Sequence, residues 1–289
     1  MFRIGILGAE NSHAMIFTEI FNGIKPEYRD EFSDMRVVAV GGNYPESNKA
    51  VFDKGQLEFI AEKPEDMLGK VDAVMVTARD GKFHAPFVRP FIEAGIPAFI
   101  DKPFTSNWDE AQELVALAKQ KNVPIVGGSA VKLCEGVRKL REVVAGAPDK
   151  VLGGDIIAPV SMTNDYGNFW FYSAHLVESC LNIFGFDPEW VWASRHEGGV
   201  TAIVHYPTFE VTNHFNESAY YYSGTVFDKQ SEHREILDIS DIFALECRSF
   251  AKILREGNMD FSYEQLIKPV QVLAAIEKSY TTGEKVFVK

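Results

Sequence analysis

The sequence predicts an α/β protein: a doubly wound parallel sheet first, then a second α/β domain with a largely antiparallel, open sheet. Three observations predict it. Over roughly the first 125 residues, short apolar runs alternate with one-sided amphipathic stretches. That is the pattern of strands buried on both faces and of the helices that cover them. From about residue 190, strand-like runs follow one another without long helices between them, which calls for antiparallel or mixed pairing. Two amphipathic stretches and a short apolar run then close the chain.

The elements follow in order. Phe2 to Leu7 is a buried strand ending at Gly8, and a helix follows from about His13 to Ile24 with Met15, Ile16, Ile20 and Phe21 on one face. Met35 to Val40 and Asp72 to Thr77 are further strands. A helix over Phe83 to Ala94 stops at Gly95, with Pro86 and Pro90 expected to bend it or move its start. Pro97 to Ile100 and Val123 to Val126 are strands, and Ser106 is the expected cap of the helix between them, with Asp109 at the capping-box position. This Rossmann-type domain is placed at 1–125 and a second domain at 126–289. The second holds helices at about Glu135–Val144 and Phe171–Phe184 and strands at Val151–Ile157, Trp190–Ser194, Val200–Tyr206, Phe209–Phe215 and Ser218–Phe227. Helices at Ile239–Arg255 and Tyr263–Tyr280 and a strand at Lys285–Val288 end it.

Composition narrows the function. The 289 residues are 46% hydrophobic and 24% charged, which supports real cores, and the formal net charge is −12. With no Lys/Arg stripe to offset that field, nucleic acid is not an expected partner. No run approaches the ~18 apolar residues of a membrane span, and the chain opens on strand-like MFRIGILG without a basic leader, so a cytoplasmic protein is expected. The three cysteines, Cys134, Cys180 and Cys247, are far apart and read as reduced thiols.

Four places can carry chemistry. Gly8-Ala9-Glu10-Asn11-Ser12-His13 follows the first strand, where a dinucleotide-binding turn holds pyrophosphate against a helix N-terminus. Gly8 matches the first glycine of GxGxxG, while Glu10 and His13 stand at the other two. A carboxylate ~5 Å from a phosphate costs roughly 3 kcal/mol at an effective dielectric of ~20. Glu10 therefore points away, or the phosphates lie elsewhere, or no dinucleotide binds. Val40-Gly41-Gly42-Asn43 ends the second strand without the acid that contacts the ribose of NAD. NADP stays open there, with Asn43, Ser47 or Lys49 near the adenosine phosphate. Lys102, after the strand PAFI, stands where a lysine can hydrogen-bond a substrate oxygen and stabilise alkoxide charge. His175 lies in FYSAHLVESCLNIFG with Glu178 three residues on. Spacing leaves it either an interior histidine or a general base. His13, His84 and His175 fit no local metal-ligand pattern, so no metal site is expected.

These residues resemble the glucose–fructose oxidoreductase / inositol dehydrogenase (Gfo/Idh/MocA) family over nearly the whole chain. VDAVMVTARDGKFHAPFVRPFIEAGIPAFIDKPF is similar to its middle block ending in Glu-Lys-Pro, here Asp101-Lys102-Pro103. HLVESCLNIFG resembles its catalytic-histidine helix, and SYTTGEKVFV its C-terminus. The resemblance implies a Rossmann domain, NAD or NADP as cofactor, and hydride transfer at a carbinol carbon of a sugar, cyclitol or related small polyol. It also implies an open sheet used to form a homo-oligomer, a dimer or tetramer. Lys102 and His175 become the catalytic pair. Thr77, Ala78, His84 and Asp101 join the cofactor contacts. Asp165, Tyr166 and Tyr172 are the expected substrate contacts, with Asp165 a possible stand-in for the acid that the family often places one turn before the histidine, where this chain has Phe171. These departures also admit a non-catalytic member acting as a small-molecule sensor or assembly subunit.

Overall fold

The computed structural model describes residues 1–288. The chain divides into two compact units: Met1–Gly128 with Phe243–Leu266, and Ser129–Ile242 with the residues from Ile267 onward. The expected division was two consecutive blocks; here a later segment rejoins the first unit.

The first unit holds a six-stranded sheet of β1 (Phe2–Leu7), β2 (Met35–Gly41), β3 (Phe59–Ala61), β4 (Ala73–Val76), β5 (Ala98–Asp101) and β6 (Ile125–Gly128). Their order is β3-β2-β1-β4-β5-β6, and every pairing is parallel. The order reverses at β1, which sits between β2 and β4. In such sheets ligands bind beyond the carboxyl ends of the strands at that switch. Helices α1 (Ser12–Phe21), α2 (Pro45–Gly55), α3 (His84–Glu93) and α4 (Trp108–Lys121) belong to the same unit. The sequence reading passed over α2 and β3, where only Asn48, Val51 and Gly55 of the helix and Ala61 of the strand are buried. So little apolar surface leaves a faint periodicity. Asn107, not Ser106, caps α4, its side chain accepting the Glu110 N–H at 3.1 Å. Pro90 sits inside α3 without ending it.

The second unit is built on a seven-stranded sheet of β7 (Val151–Pro159), β8 (Trp190–His196), β9 (Gly199–His205), β10 (Glu210–Asn216), β11 (Ser223–Asp228), β12 (Glu232–Ile236) and β13 (Val286–Phe287), ordered β12-β11-β7-β10-β9-β8-β13. β7 and β10 pair in parallel and every other neighbour is antiparallel. The run expected as one strand over Ser218–Phe227 begins only at Ser223, and β12 answers it as a hairpin partner. Helices α5 (Glu135–Gly146) and α6 (Phe169–Phe184) cover one face, and α6 is buried at all but one of its sixteen positions. Burial alternates along β9 and β10, so Thr201, Ile203 and His205, with Thr212 and His214, face the other way. This period of two fixes which sheet face is open.

The returning segment contains α7 (Ile242–Glu256), ahead of α8 (Tyr263–Thr282). Cys247, Phe250, Ala251 and Ile253 are buried in the same core as Phe17, Phe21, Phe32 and Phe99. Phe250 meets Phe21 and Phe99 edge-on at 6.1 and 6.2 Å between ring centres. Arg255 is paired with Asp34 and Arg248 with Glu31 at the surface of this unit. Because Phe250 is fully buried, Phe250→Ala should lower stability by about 3–5 kcal/mol. Chemical denaturation followed by circular dichroism measures this. A fragment ending at Gly128 should expose the Phe17/Phe99 surface and fail to give a cooperative transition.

Candidate active site

Functional side chains gather at two places, one in each unit. In the first unit the chain leaves β1 at Gly8, whose φ of +95° suits glycine. A Cβ there would stand 2.3 Å from the Ala78 backbone nitrogen, so the turns after β1 and β4 can abut only without a side chain. Thr77 is buried beneath and donates its hydroxyl to the Gly8 carbonyl at 2.9 Å. Asn11 caps α1, its Oδ1 accepting the His13 N–H at 3.3 Å, while Ser12 is exposed and Ala9 is buried.

Glu10 turns toward the β4 end: its Oε1 accepts the Arg79 N–H at 3.0 Å. Its Oε2 is buried with no hydrogen-bond partner among the described residues. An orphaned acceptor beside a glycine turn suits a ligand hydroxyl, such as a ribose hydroxyl, and is poorly matched to a phosphate. The narrow turn at Gly8, the start of α1 and this acceptor together fit a dinucleotide.

His13, at the third glycine position, is tied to Asp101, with Nδ1 2.6 Å from Oδ2, and packs edge-on against Phe243 at 4.8 Å. Asp101 is fully buried and also accepts the Lys102 N–H at 2.7 Å and the Asn11 amide at 3.3 Å. Burial pushes its carboxyl up, but the pull of His13 and Lys102 prevails and holds it below the usual carboxylate range. Lys102 itself is 4% exposed at the carboxyl end of β5. Burial pushes its ammonium down from the usual lysine range; Asp101 opposes this and the Arg79 charge adds to it. His84 is buried with Nδ1 2.7 Å from the Pro103 carbonyl and Nε2 2.8 Å from the Ala78 carbonyl. Both ring nitrogens are thus taken by backbone. Thr77, His84 and Asp101, expected as cofactor contacts, are buried around the Gly8 turn with these partners. After β2, Asn43 is exposed, Asn48 donates to the Gly42 carbonyl at 3.0 Å, and Lys49 is held by Asp53 at 2.8 Å.

In the second unit α6 carries His175 and Glu178 on one face. His175 Nδ1 lies 2.7 Å from Ser129 Oγ, just beyond β6. Glu178 accepts the Ser129 N–H at 2.8 Å and the Lys132 ammonium at 2.7 Å, all of them buried. The rings of Tyr172 and Tyr222 flank the imidazole at 5.9 and 5.8 Å. Tyr166 packs on Phe171 at 5.3 Å. Asp165 is exposed on the turn before α6, so the Nδ1 partner of His175 is Ser129 and not the aspartate expected as a stand-in. Ser129, Lys132 and Tyr222 escaped the sequence reading. Only the place of Ser129, directly after a Gly-Gly strand end, hinted at a role.

The family model describing an oxidoreductase family with an NAD-binding Rossmann fold matches residues 2–128. Residues 2–128 are thus similar to the Gfo/Idh/MocA oxidoreductase family. A UDP-N-acetylglucosamine 3-dehydrogenase from Acidithiobacillus ferrooxidans is 28% identical over 93 residues, 32% of this chain and 29% of the relative, so the match spans under a third of that relative's length. Among solved structures, GenD2 from gentamicin A biosynthesis, in complex with NAD, shares the fold with a TM-score of 0.86 at 13% identity, covering 100% of this chain and 96% of that one. Scyllo-inositol dehydrogenase from Lactobacillus casei, with bound NAD(H) and scyllo-inositol, gives a TM-score of 0.82 at 14% identity, with coverages of 100% and 99%. Among the described residues no helix is long and apolar enough to cross a membrane.

The Lys132–Glu178 pair sits in the interior, where removing one partner strands the other charge. Lys132→Met should therefore destabilise the chain by about 3–5 kcal/mol. The denaturant midpoint measures the loss, and the double variant with Glu178→Met should recover much of it.

Proposed function

We propose that this chain is an NAD-dependent oxidoreductase moving a hydride to or from a carbinol carbon of a sugar, cyclitol or related small polyol. The supporting observation is the Gly8 cradle, in a family domain that binds NAD, with a buried lysine at the carboxyl end of β5 in the same unit. Bound NAD supplies the hydride acceptor. Lys102 holds the substrate oxygen and stabilises its negative charge; its burial strengthens that interaction. His175 exchanges the hydroxyl proton, and Tyr166, Tyr172 and Asp165 contact the hydroxyl-bearing substrate. NAD is preferred over NADP because Lys49 is engaged by Asp53 and no arginine stands at Asn43 to meet a 2′-phosphate. Glu10, turned to Arg79, leaves room for a cofactor, which favours the enzyme over a sensor or assembly subunit.

NADH fluorescence titration should show saturation below millimolar concentration, with NADPH bound about tenfold more weakly. No binding of either would end this reading. Lys102→Ala should lower kcat/KM about 10²–10³-fold on whichever cyclitol, aldose or nucleotide sugar turns over, with NADH affinity unchanged.

We further propose a soluble cytoplasmic homo-oligomer, a dimer or tetramer, assembled on the open face of the seven-stranded sheet. One cross-strand row on that face runs Trp192, Ile203, Thr212, Asp155, Thr225, Arg234. Trp192, Leu152 and Ile236 are exposed on the same sheet, an apolar display of the kind that marks an interface. Light scattering should find an oligomer in the parent chain and a monomer in Trp192→Asp.

A further inference from the structure

Three consecutive tyrosines lie in the turn between β10 and β11. Tyr220 and Tyr221 are exposed, at 95% and 47%, and only Tyr222 turns inward, at 9%. Its ring stands edge-on to the His175 imidazole, 5.8 Å between ring centres, and Tyr172 lies 5.9 Å from the same imidazole. Strand pairing holds Tyr222 there. It directly precedes Ser223, which pairs with Ile157 of β7 and Ile236 of β12, and its own carbonyl accepts the Leu237 N–H at 2.9 Å. Earlier in the turn, Glu217 accepts the Met162 N–H at 2.8 Å. A side chain set at the end of an internal sheet strand has little freedom to move.

Buried phenols normally bond their hydroxyl. Tyr206 donates to the Gly185 carbonyl at 2.9 Å, and Tyr263 to the Val123 carbonyl at 2.7 Å. The Tyr222 hydroxyl makes no hydrogen bond to any described residue, and it is not one of the polar atoms sealed inside the protein. A side chain nine-tenths buried thus keeps its one polar atom unmatched and open beside the imidazole. Burial pushes that hydroxyl up from the usual phenol range, and Tyr172 adds to the push. Tyr222 therefore stays a neutral phenol near neutral pH, able to donate and to accept but not to act as a base.

We propose that Tyr222 is a substrate-contacting, specificity-determining residue whose hydroxyl bonds a second hydroxyl of the substrate, on a carbon next to the one that reacts. This rests on the reading of His175 as the group that meets the reacting hydroxyl. The reacting oxygen belongs to the imidazole; a phenol standing beside that ring is placed for the oxygen next to it. Either partner of such a pair can donate, so the bond closes whichever way the diol's protons point. An unmatched, mostly buried hydroxyl favours substrates that bring it a partner and disfavours those that do not. The site thus selects vicinal diols, as in cyclitols and sugars, over isolated alcohols.

The test uses the full chain with NADH bound, which keeps an added polyol from being oxidised. Protein carrying carbon-13 at the tyrosine ring carbon that bears the hydroxyl is titrated with scyllo-inositol, D-glucose and UDP-N-acetylglucosamine, and with cyclohexanol as the control. The Tyr222 signal is the one lost in Tyr222→Phe. At least one polyol should move it saturably, and cyclohexanol should not. A signal that no polyol moves, or that cyclohexanol moves equally, overturns the proposal. Tyr222→Phe keeps the ring and removes only the hydroxyl. It should lower kcat/KM about tenfold for the polyol that turns over, with NADH affinity and the denaturant midpoint as in the parent. For the analogue deoxygenated beside the reacting carbon, that difference between parent and variant should collapse. A purely structural role would lower the midpoint, and bonding to water alone would leave kcat/KM unchanged; either result overturns the proposal. The exposed neighbour variant Tyr221→Phe should alter none of these quantities. Failure of the underlying reading looks different: the parent binds neither NADH nor NADPH, or His175→Ala keeps full turnover.

Discussion

Glu178 places a carboxylate in the middle of a helix buried at nearly every position, and the fold answers it with the Lys132 ammonium and the Ser129 N–H. A charge in such surroundings is tolerated only when its oxygens are satisfied, so the segment after β6 must lie against α6 in one register. That register brings Ser129 Oγ to His175 Nδ1. The place of the Ser129 hydroxyl beside the imidazole thus follows from a buried ion pair.

The first unit solves a similar problem with a different donor set. Asp101 is a fully buried acid, and His13, Lys102 and Asn11 supply its donors. Two departures from the family pattern meet in this contact: histidine where the turn has its third glycine, and aspartate where the Lys-Pro motif has glutamate. The pair joins the start of α1 to the end of β5, beneath the Gly8 turn. Glu10, a third departure, is absorbed when its carboxylate caps the Arg79 N–H. The altered turn keeps its shape with a substituted set of side chains.

Legibility followed local pattern strength. β1, β4 and β5 are continuous apolar runs, and the parallel sheet followed from them and the helices between. α2, β3 and β12 were missed because each buries few residues and leaves weak periodicity. Lys102 could be found because it directly follows a recognisable strand, and His175 because its helix resembles a known one. His84 and Asp101 were singled out too, and their burial and partners could be seen only in the structure.

The sequence by itself determined the two sheet types, the strand ends that carry Gly8 and Lys102, and the helix that carries His175. Those features are written in hydrophobic period and in neighbouring residues. Tertiary structure decided that α7 completes the first unit's core, that Glu10 faces Arg79, and that Ser129 meets His175. Each of these joins residues dozens to hundreds of positions apart or depends on the direction of one side chain. Local pattern holds no record of such choices; packing and the need to satisfy buried polar atoms make them.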